Sequence, residues 1–212
     1  MLSAQGAIQR LKEGNQRFVE RVQKGGAALT QSGITILPRE QAPFAIILGC
    51  SDSRVPAEIV FDQGLGDLFV IRVAGNIVAP SQVGSVEFAA SQFGTPLVVV
   101  LGHTECGAVT ATIDQLQQSA ERQSRNLRSI VDRIRPSVEG LLGTDLRQDP
   151  ERLLAHAVRT NISVSVSQLR HGSEVLEGLI ENKELLVVGA EYSVATGVVE
   201  FFDDWDSAAS AD

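Results

Sequence analysis

Cysteine is scarce in this chain, and so are several other residue types. Its 212 residues include two cysteines, one methionine, one tryptophan and one tyrosine. Two cysteines cannot build the disulfide framework on which small secreted domains depend. No run approaches the roughly 20 consecutive apolar residues that cross a bilayer, so no membrane insertion is expected. The opening stretch MLSAQGAIQRLKEGNQRF has no apolar core followed by a cleavage site. The expected location is therefore cytoplasmic. Positive charge is also short: 18 Lys and Arg against 26 Asp and Glu give a formal net charge of -8. Nucleic-acid surfaces are normally basic, and no basic run with interleaved aromatics occurs, so no nucleic-acid partner is expected. What is present is 43% hydrophobic and 21% charged, an ordinary globular mixture. The length suffices for one sizeable core.

Apolar runs alternate with amphipathic ones. Residues 3–24 read as a helix with Ile8, Leu11 and Phe18 near one face. A connection broken by Gly25, Gly26, Gly33, Pro38 and Pro43 follows. Strands are expected at 44–49 (FAIILG), 67–74 (DLFVIRVA), 96–102 (PLVVVLG) and within 183–192 (KELLVVGAEY), with a fifth at 197–202 (GVVEFF). Helices are expected at 55–63 with Pro56 near the start, at 80–94 with Ser81 or Ser85 as cap, at 105–116 and around 123–135. Two more fall within 150–181, divided near His171 and Gly172, with Pro150 in the first turn. The tail DDWDSAASAD (203–212) reads as polar and loosely held. Strands apolar on both faces, alternating with helices, predict an α/β fold: a mainly parallel central β-sheet flanked by helices, with an N-terminal helical arm. Residues 1–40 form the arm and its connection, and 41–212 a single α/β domain. No internal repeat is visible.

Both cysteines stand in the same kind of place. CSDSR (50–54) follows APFAIILG, and HTECGA (103–108) follows TPLVVVLG. In open α/β sheets, ligands bind beyond the carboxyl ends of the strands. If the two strands are central and parallel, Cys50, His103 and Cys106 converge from one end. Two thiolates and one imidazole suit Zn²⁺. There is no third cysteine, and His156 and His171 lie in expected helices far along the chain. Three protein ligands leave a position for water, the catalytic arrangement, unless Asp52 fills it and closes the site. Plainer readings compete. Cys50 alone is a buried small hydrophobe, His103 alone a hydrogen-bonding core histidine, and the His-x-x-Cys spacing arises by chance. On the residues alone, metal and packing weigh about evenly. Cys106 is expected in the first turn of a helix, whose field favours thiolate. Gly49 and Gly102 are expected under close strand-end packing, and Gly107 to let the helix start beside the metal. The apolar stretch before Asp52 and Arg54 predicts a buried ion pair with the desolvation that implies.

The segments CSDSRVP, RVAGN (72–76) and GHTECGAV resemble the β-class carbonic anhydrases. The likeness runs from about Gln41 to Val109 and resumes in VVGAEYSVATG (187–197). It implies that Cys50, His103 and Cys106 ligate one zinc ion per chain. It makes Asp52 and Arg54 a catalytic pair beside the metal. In the open state the pair holds and water takes the fourth zinc position; in the closed state the aspartate swings onto zinc. Plant-like members add a glutamine, a phenylalanine and a tyrosine to the substrate pocket, which fall at Gln41, Phe69 and Phe88 here, the last without its hydroxyl. Val73 joins the apolar wall facing carbon dioxide. Some bacterial members bind regulatory bicarbonate through a tryptophan three residues before the first cysteine; here that position is Ile47, which with Gln41 implies the open, plant-like type. Tyr192 matches a late-strand tyrosine, and packing explains it as well as binding does. The resemblance also implies a homodimer, or a tetramer of paired dimers, with the N-terminal helix packed on the partner and pocket residues crossing the interface.

The implied activity is the zinc-dependent, reversible hydration of carbon dioxide to bicarbonate and a proton, a lyase reaction. Two thiolates donate more charge than neutral histidines, so activity is expected to rise toward alkaline pH. Relatives on the same scaffold hydrolyse carbonyl sulfide or carbon disulfide, which is the nearest rival reading. A non-catalytic zinc-binding scaffold is a second rival. A redox role is weaker, because the cysteines do not form a CxxC pair.

Overall fold

Five short strands in the order β2-β1-β3-β4-β5 form the central sheet of the computed structural model, which describes residues 2–25, 38–117 and 124–202. They are β1 (Ala45–Gly49), β2 (Leu68–Arg72), β3 (Leu97–His103), β4 (Leu186–Tyr192) and β5 (Val199–Phe201). The first four run parallel, and β5 returns antiparallel along β4. The helices are α1 (Ala4–Gln23), α2 (Ala57–Val60), α3 (Pro80–Phe93), α4 (Gly107–Gln117), α5 (Arg125–Val138), α6 (Pro150–His171) and α7 (Glu174–Glu181). This is the expected α/β architecture. The tail at 203–212 and most of the connection after α1 lie outside the described residues.

The sheet is buried on both sides, which explains its continuous apolar runs. Ile46, Leu48, Val98 and Val100 face a core shared with buried residues of α3 to α7. Ala45, Ile47, Val99 and Leu101, displaced by one residue, face a second core under α1 and α2. The helix-start chemistry is plain at α1, where Ser3 accepts from the Gly6 N–H at 3.1 Å. Asp149 does the same for α6, with Pro150 at the first position. Neither Ser81 nor Ser85 caps α3, which begins at Pro80 after Ala79. The Ser85 hydroxyl instead donates to the Ser81 carbonyl. Helix α5 runs through Pro136 to Val138, because Val131, Ile134 and Val138 bury one face.

Helix α1 differs from its implied role. Its apolar face packs on its own chain, with Ala7, Ile8, Leu11, Phe18 and Val19 in the second core. Gly14 allows the close approach: a Cβ there would lie 1.8 Å from the Phe61 carbonyl oxygen. Buried Asn15 then donates to the carbonyls of Val60 (3.1 Å) and Gly197 (2.8 Å) and accepts from the Val199 N–H (2.9 Å). A buried amide with three backbone partners fixes a docking that an apolar stripe alone leaves open.

Candidate metal centre

The chain leaves β1 toward one side for β2 and crosses to the other side for β3, so strand order reverses between β1 and β3. The crevice beyond their carboxyl ends is where open α/β sheets bind ligands. Cys50 is the first residue after β1, and His103 is the last of β3. A tight turn with Glu105 at φ 59° then delivers Cys106 immediately before α4. Cys106 thus precedes the helix rather than lying in its first turn. Its carbonyl accepts the Thr110 N–H at 3.0 Å.

The ligand atoms of Cys50, His103 and Cys106 all lie within 4.8 Å of one another, and all three residues are buried. The imidazole is fully enclosed. Its Nδ1 is 2.8 Å from the Thr104 carbonyl. A carbonyl accepts only, so Nδ1 carries the proton and Nε2 presents a lone pair. That Nε2 is buried without a hydrogen-bond partner. The Cys106 thiol beside it and the N–H groups of Gly75 and Asp52 hold the Cys50 sulfur far below the ordinary thiol range, against burial. Cys50 and burial together push Cys106 upward, against the N–H groups of Val109 and Ala108. Metal binding releases protons from thiols, so two adjacent thiols with their acidities pushed apart offer sulfur to a cation. Donor chemistry, burial and the orphaned nitrogen all fit a tetrahedral sulfur- and nitrogen-bound ion.

Asp52 and Arg54 stand beside this trio. The Arg54 fork meets both carboxylate oxygens, Nε to Oδ1 and Nη2 to Oδ2, each at 3.0 Å. The Arg54 backbone N–H adds a third bond to Oδ1 at 2.9 Å. Arg54 holds the Asp52 carboxyl down to about 2. Asp52 Oδ2 is 3.9 Å from His103 Nε2. The pair is not buried as expected: the Arg54 side chain is 49% exposed and that of Asp52 20%. The crevice opens to solvent on this side. Arg54 also reaches Glu105 at 3.3 Å, a carboxylate that no sequence pattern singles out. Arg72 ties the same loop by donating to the carbonyls of Cys50 (3.1 Å) and Asp52 (2.6 Å).

The expected pocket residues divide. Val73 follows β2, and its N–H bonds the Gly49 carbonyl at 3.1 Å, so it lies at the crevice. Phe69 pairs in register with Ile46, four residues before Cys50; at about 3.3 Å per residue that is roughly 13 Å along the strand. Phe69 packs with Phe88 and Phe93 instead, with ring centres 5.7 to 6.2 Å apart, and Phe88 is 52% exposed. Gln41 is exposed in the segment before β1. Ile47 is buried in the core under α1, and Tyr192, paired with His103 in register, packs in that same core. Of the glycines, Gly102 is under close packing, since a Cβ would meet Ile162 Cδ1 at 2.4 Å. Gly49 has no contact closer than 3.8 Å, and Gly107 faces open space, so neither is needed sterically.

A protein-family model described as carbonic anhydrase matches residues 45–199. The carbonic anhydrase of Mycolicibacterium smegmatis is 41% identical over 195 residues, spanning 90% of this chain and 89% of that one. The solved β-carbonic anhydrase CafA of Aspergillus fumigatus superposes with a TM-score of 0.67 at 27% identity, covering 77% of this chain and 76% of that one. One of two tetrameric β-carbonic anhydrases from Sordaria macrospora shares the fold, with a TM-score of 0.66 at 22% identity over 76% of this chain and 81% of its own.

Proposed function

The chain belongs to the β-class carbonic anhydrases, a family of lyases, and from that premise we propose that it catalyses the reversible hydration of carbon dioxide to bicarbonate with one zinc ion per chain. Cys50, His103 and Cys106 would hold the ion. The observation that carries this is His103 Nε2, enclosed beside two buried thiols with no partner of its own. A buried polar atom left unsatisfied costs about 1–3 kcal/mol, and a cation on its lone pair removes that penalty.

Bound zinc supplies a Lewis acid that makes water nucleophilic near neutral pH. Asp52, ionised and held by three bonds from Arg54, acts as an acceptor that orients the attacking water through one of its hydrogens. The bidentate fork also keeps the carboxylate out of the ligand set, which is the open arrangement. Two thiolate ligands place the active form toward alkaline pH. A substrate without charge or donors calls for an apolar wall, and Val73 stands at the crevice to supply one.

Gln41, Phe69 and Phe88 serve the pocket of a second copy of the chain in this proposal. Phe88, exposed and packed against the partly buried Phe69 and Phe93 beside the edge strand β2, supports that assignment, since exposed apolar surface marks contact sites. A homodimer is the minimal assembly in this reading, with further pairing into a tetramer as the alternative. Two reduced thiols as ligands suit the cytoplasm. Replacing Cys106 by serine tests the ligand set. Zinc content and carbon dioxide hydration should fall together, and full zinc retention would remove Cys106 from it.

A further inference from the structure

A short turn of unusual backbone sits behind Cys50. After β2 the chain forms a single 3-10 turn, Ala74–Asn76, in which Gly75 (φ 71°) and Asn76 (φ 43°) both adopt the left-handed region. Asparagine tolerates it, but two such residues in succession do not hold themselves in place. The turn aims the Gly75 N–H at the Cys50 sulfur, 3.3 Å away. Its Gly75 and Asn76 carbonyls point into the core.

Helix α6 supplies the partners. The Asn161 amide donates to the Gly75 carbonyl at 2.8 Å, and the Ser165 hydroxyl donates to the Asn76 carbonyl at 3.1 Å. These residues are one helical turn apart on the buried face of α6. The Ser137 hydroxyl on α5 reaches Asn161 Oδ1 at 3.4 Å, which orients the amide with its nitrogen toward Gly75. All three side chains are at most 2% exposed. Between them Ile162 packs on Gly102, the residue before His103. One face of α6 therefore sets the backbone behind two members of the trio. The other residues on this face are apolar, and apolar side chains would fill the space without holding the turn.

We propose that Asn161 and Ser165 are positioning residues for the metal centre, holding the Ala74–Asn76 turn so that the Gly75 N–H meets the Cys50 sulfur. The inference rests on the metal site proposed above. An N–H directed at a ligating thiolate stabilises its charge and fixes its direction, as outer partners do for metal ligands generally.

The test uses Asn161→Leu and Ser165→Ala, with Val166→Ala as a control that loosens the same buried face and removes no hydrogen bond to the turn. Each protein is loaded with cobalt for its thiolate-to-metal absorption band, and with zinc for affinity by chelator competition at fixed pH. Asn161→Leu should weaken zinc binding about 10-fold and move the band to longer wavelength, because a thiolate stripped of its N–H donor is more easily oxidised. Ser165→Ala should shift both in the same direction by less. Val166→Ala should unfold at lower temperature while keeping the wild-type band and affinity. Wild-type band and affinity in both folded variants would overturn the proposal, as would an equal shift in Val166→Ala. If Asn161→Leu does not fold, Ser137→Ala takes its place beside Ser165→Ala under the same criteria. A wild-type protein that binds neither metal overturns the metal site itself, whereas metal binding indifferent to α6 overturns only this inference.

Discussion

Arg54 holds Asp52 with both prongs of its guanidinium, each 3.0 Å from a different carboxylate oxygen, while the near oxygen stays 3.9 Å from the His103 nitrogen. The carboxylate is thereby kept ionised, aimed at the crevice and occupied. Arg72 ties the same loop through the carbonyls of Cys50 and Asp52.

Removing that fork should free the carboxylate to enter the ligand set. Arg54→Ala is expected to lower carbon dioxide hydration about 10- to 100-fold, the range for outer partners of metal sites, with zinc retained. Initial rates alongside zinc content check this, and wild-type rates in the variant would contradict the role given to Arg54.

Asp62 carries a pH dependence outside the site. Burial raises its carboxyl, but the guanidiniums of Arg17 and Arg21 on α1 outweigh burial and hold it below the usual range. A carboxyl depressed in the folded state contributes stability above its unfolded value of about 4, and this is lost as pH falls through the folded value. Asp62→Asn should reduce stability near neutral pH by about 1 kcal/mol or less, because both arginines are half exposed and solvent screens them. The variant should also lose less stability than wild type on acidification. Urea unfolding at neutral and acid pH decides it, and parallel losses in the two proteins would contradict the linkage.

Asn15 gives the sharpest test of how α1 docks. Asn15→Leu keeps the branched shape and strands the buried carbonyls of Val60 and Gly197 and the part-buried Val199 N–H. An unsatisfied buried group costs about 1–3 kcal/mol, so several kcal/mol of destabilisation is expected by chemical unfolding. A change within about 0.5 kcal/mol, as at an ordinary surface position, would mean that α1 is not held where it lies here.

The sequence made some of this legible and left the rest hidden for physical reasons. The convergence of Cys50, His103 and Cys106 was legible because each follows an apolar run expected as a strand and parallel strands deliver their ends to one edge, but those residues alone weighed metal and packing evenly, and the ligand set came from the family resemblance. Asp52 and Arg54 were readable as a pair from their spacing, but not their exposure, since the preceding strand says nothing about which side of the loop opens to solvent. Pro136 signals a break, yet the buried face of α5 carries the helix past it. The docking of α1 on its own chain is not legible in its apolar stripe, which declares that it must pack and not where; Gly14 and Asn15, small and polar residues within that stripe, set the place. Asn161 and Ser165 carried the same sign, polar residues one turn apart on an apolar face, and their spacing could have marked them.

The most direct test of the central claim is stopped-flow hydration of carbon dioxide from about pH 6.5 to about pH 9, with zinc quantified on the same sample. The account predicts turnover across the whole range, rising toward alkaline pH, with zinc and activity lost together on chelation. Stoichiometric zinc without hydration at any pH would contradict the proposed reaction, and an abrupt loss of activity below about pH 8 would contradict the open arrangement of Asp52 and Arg54.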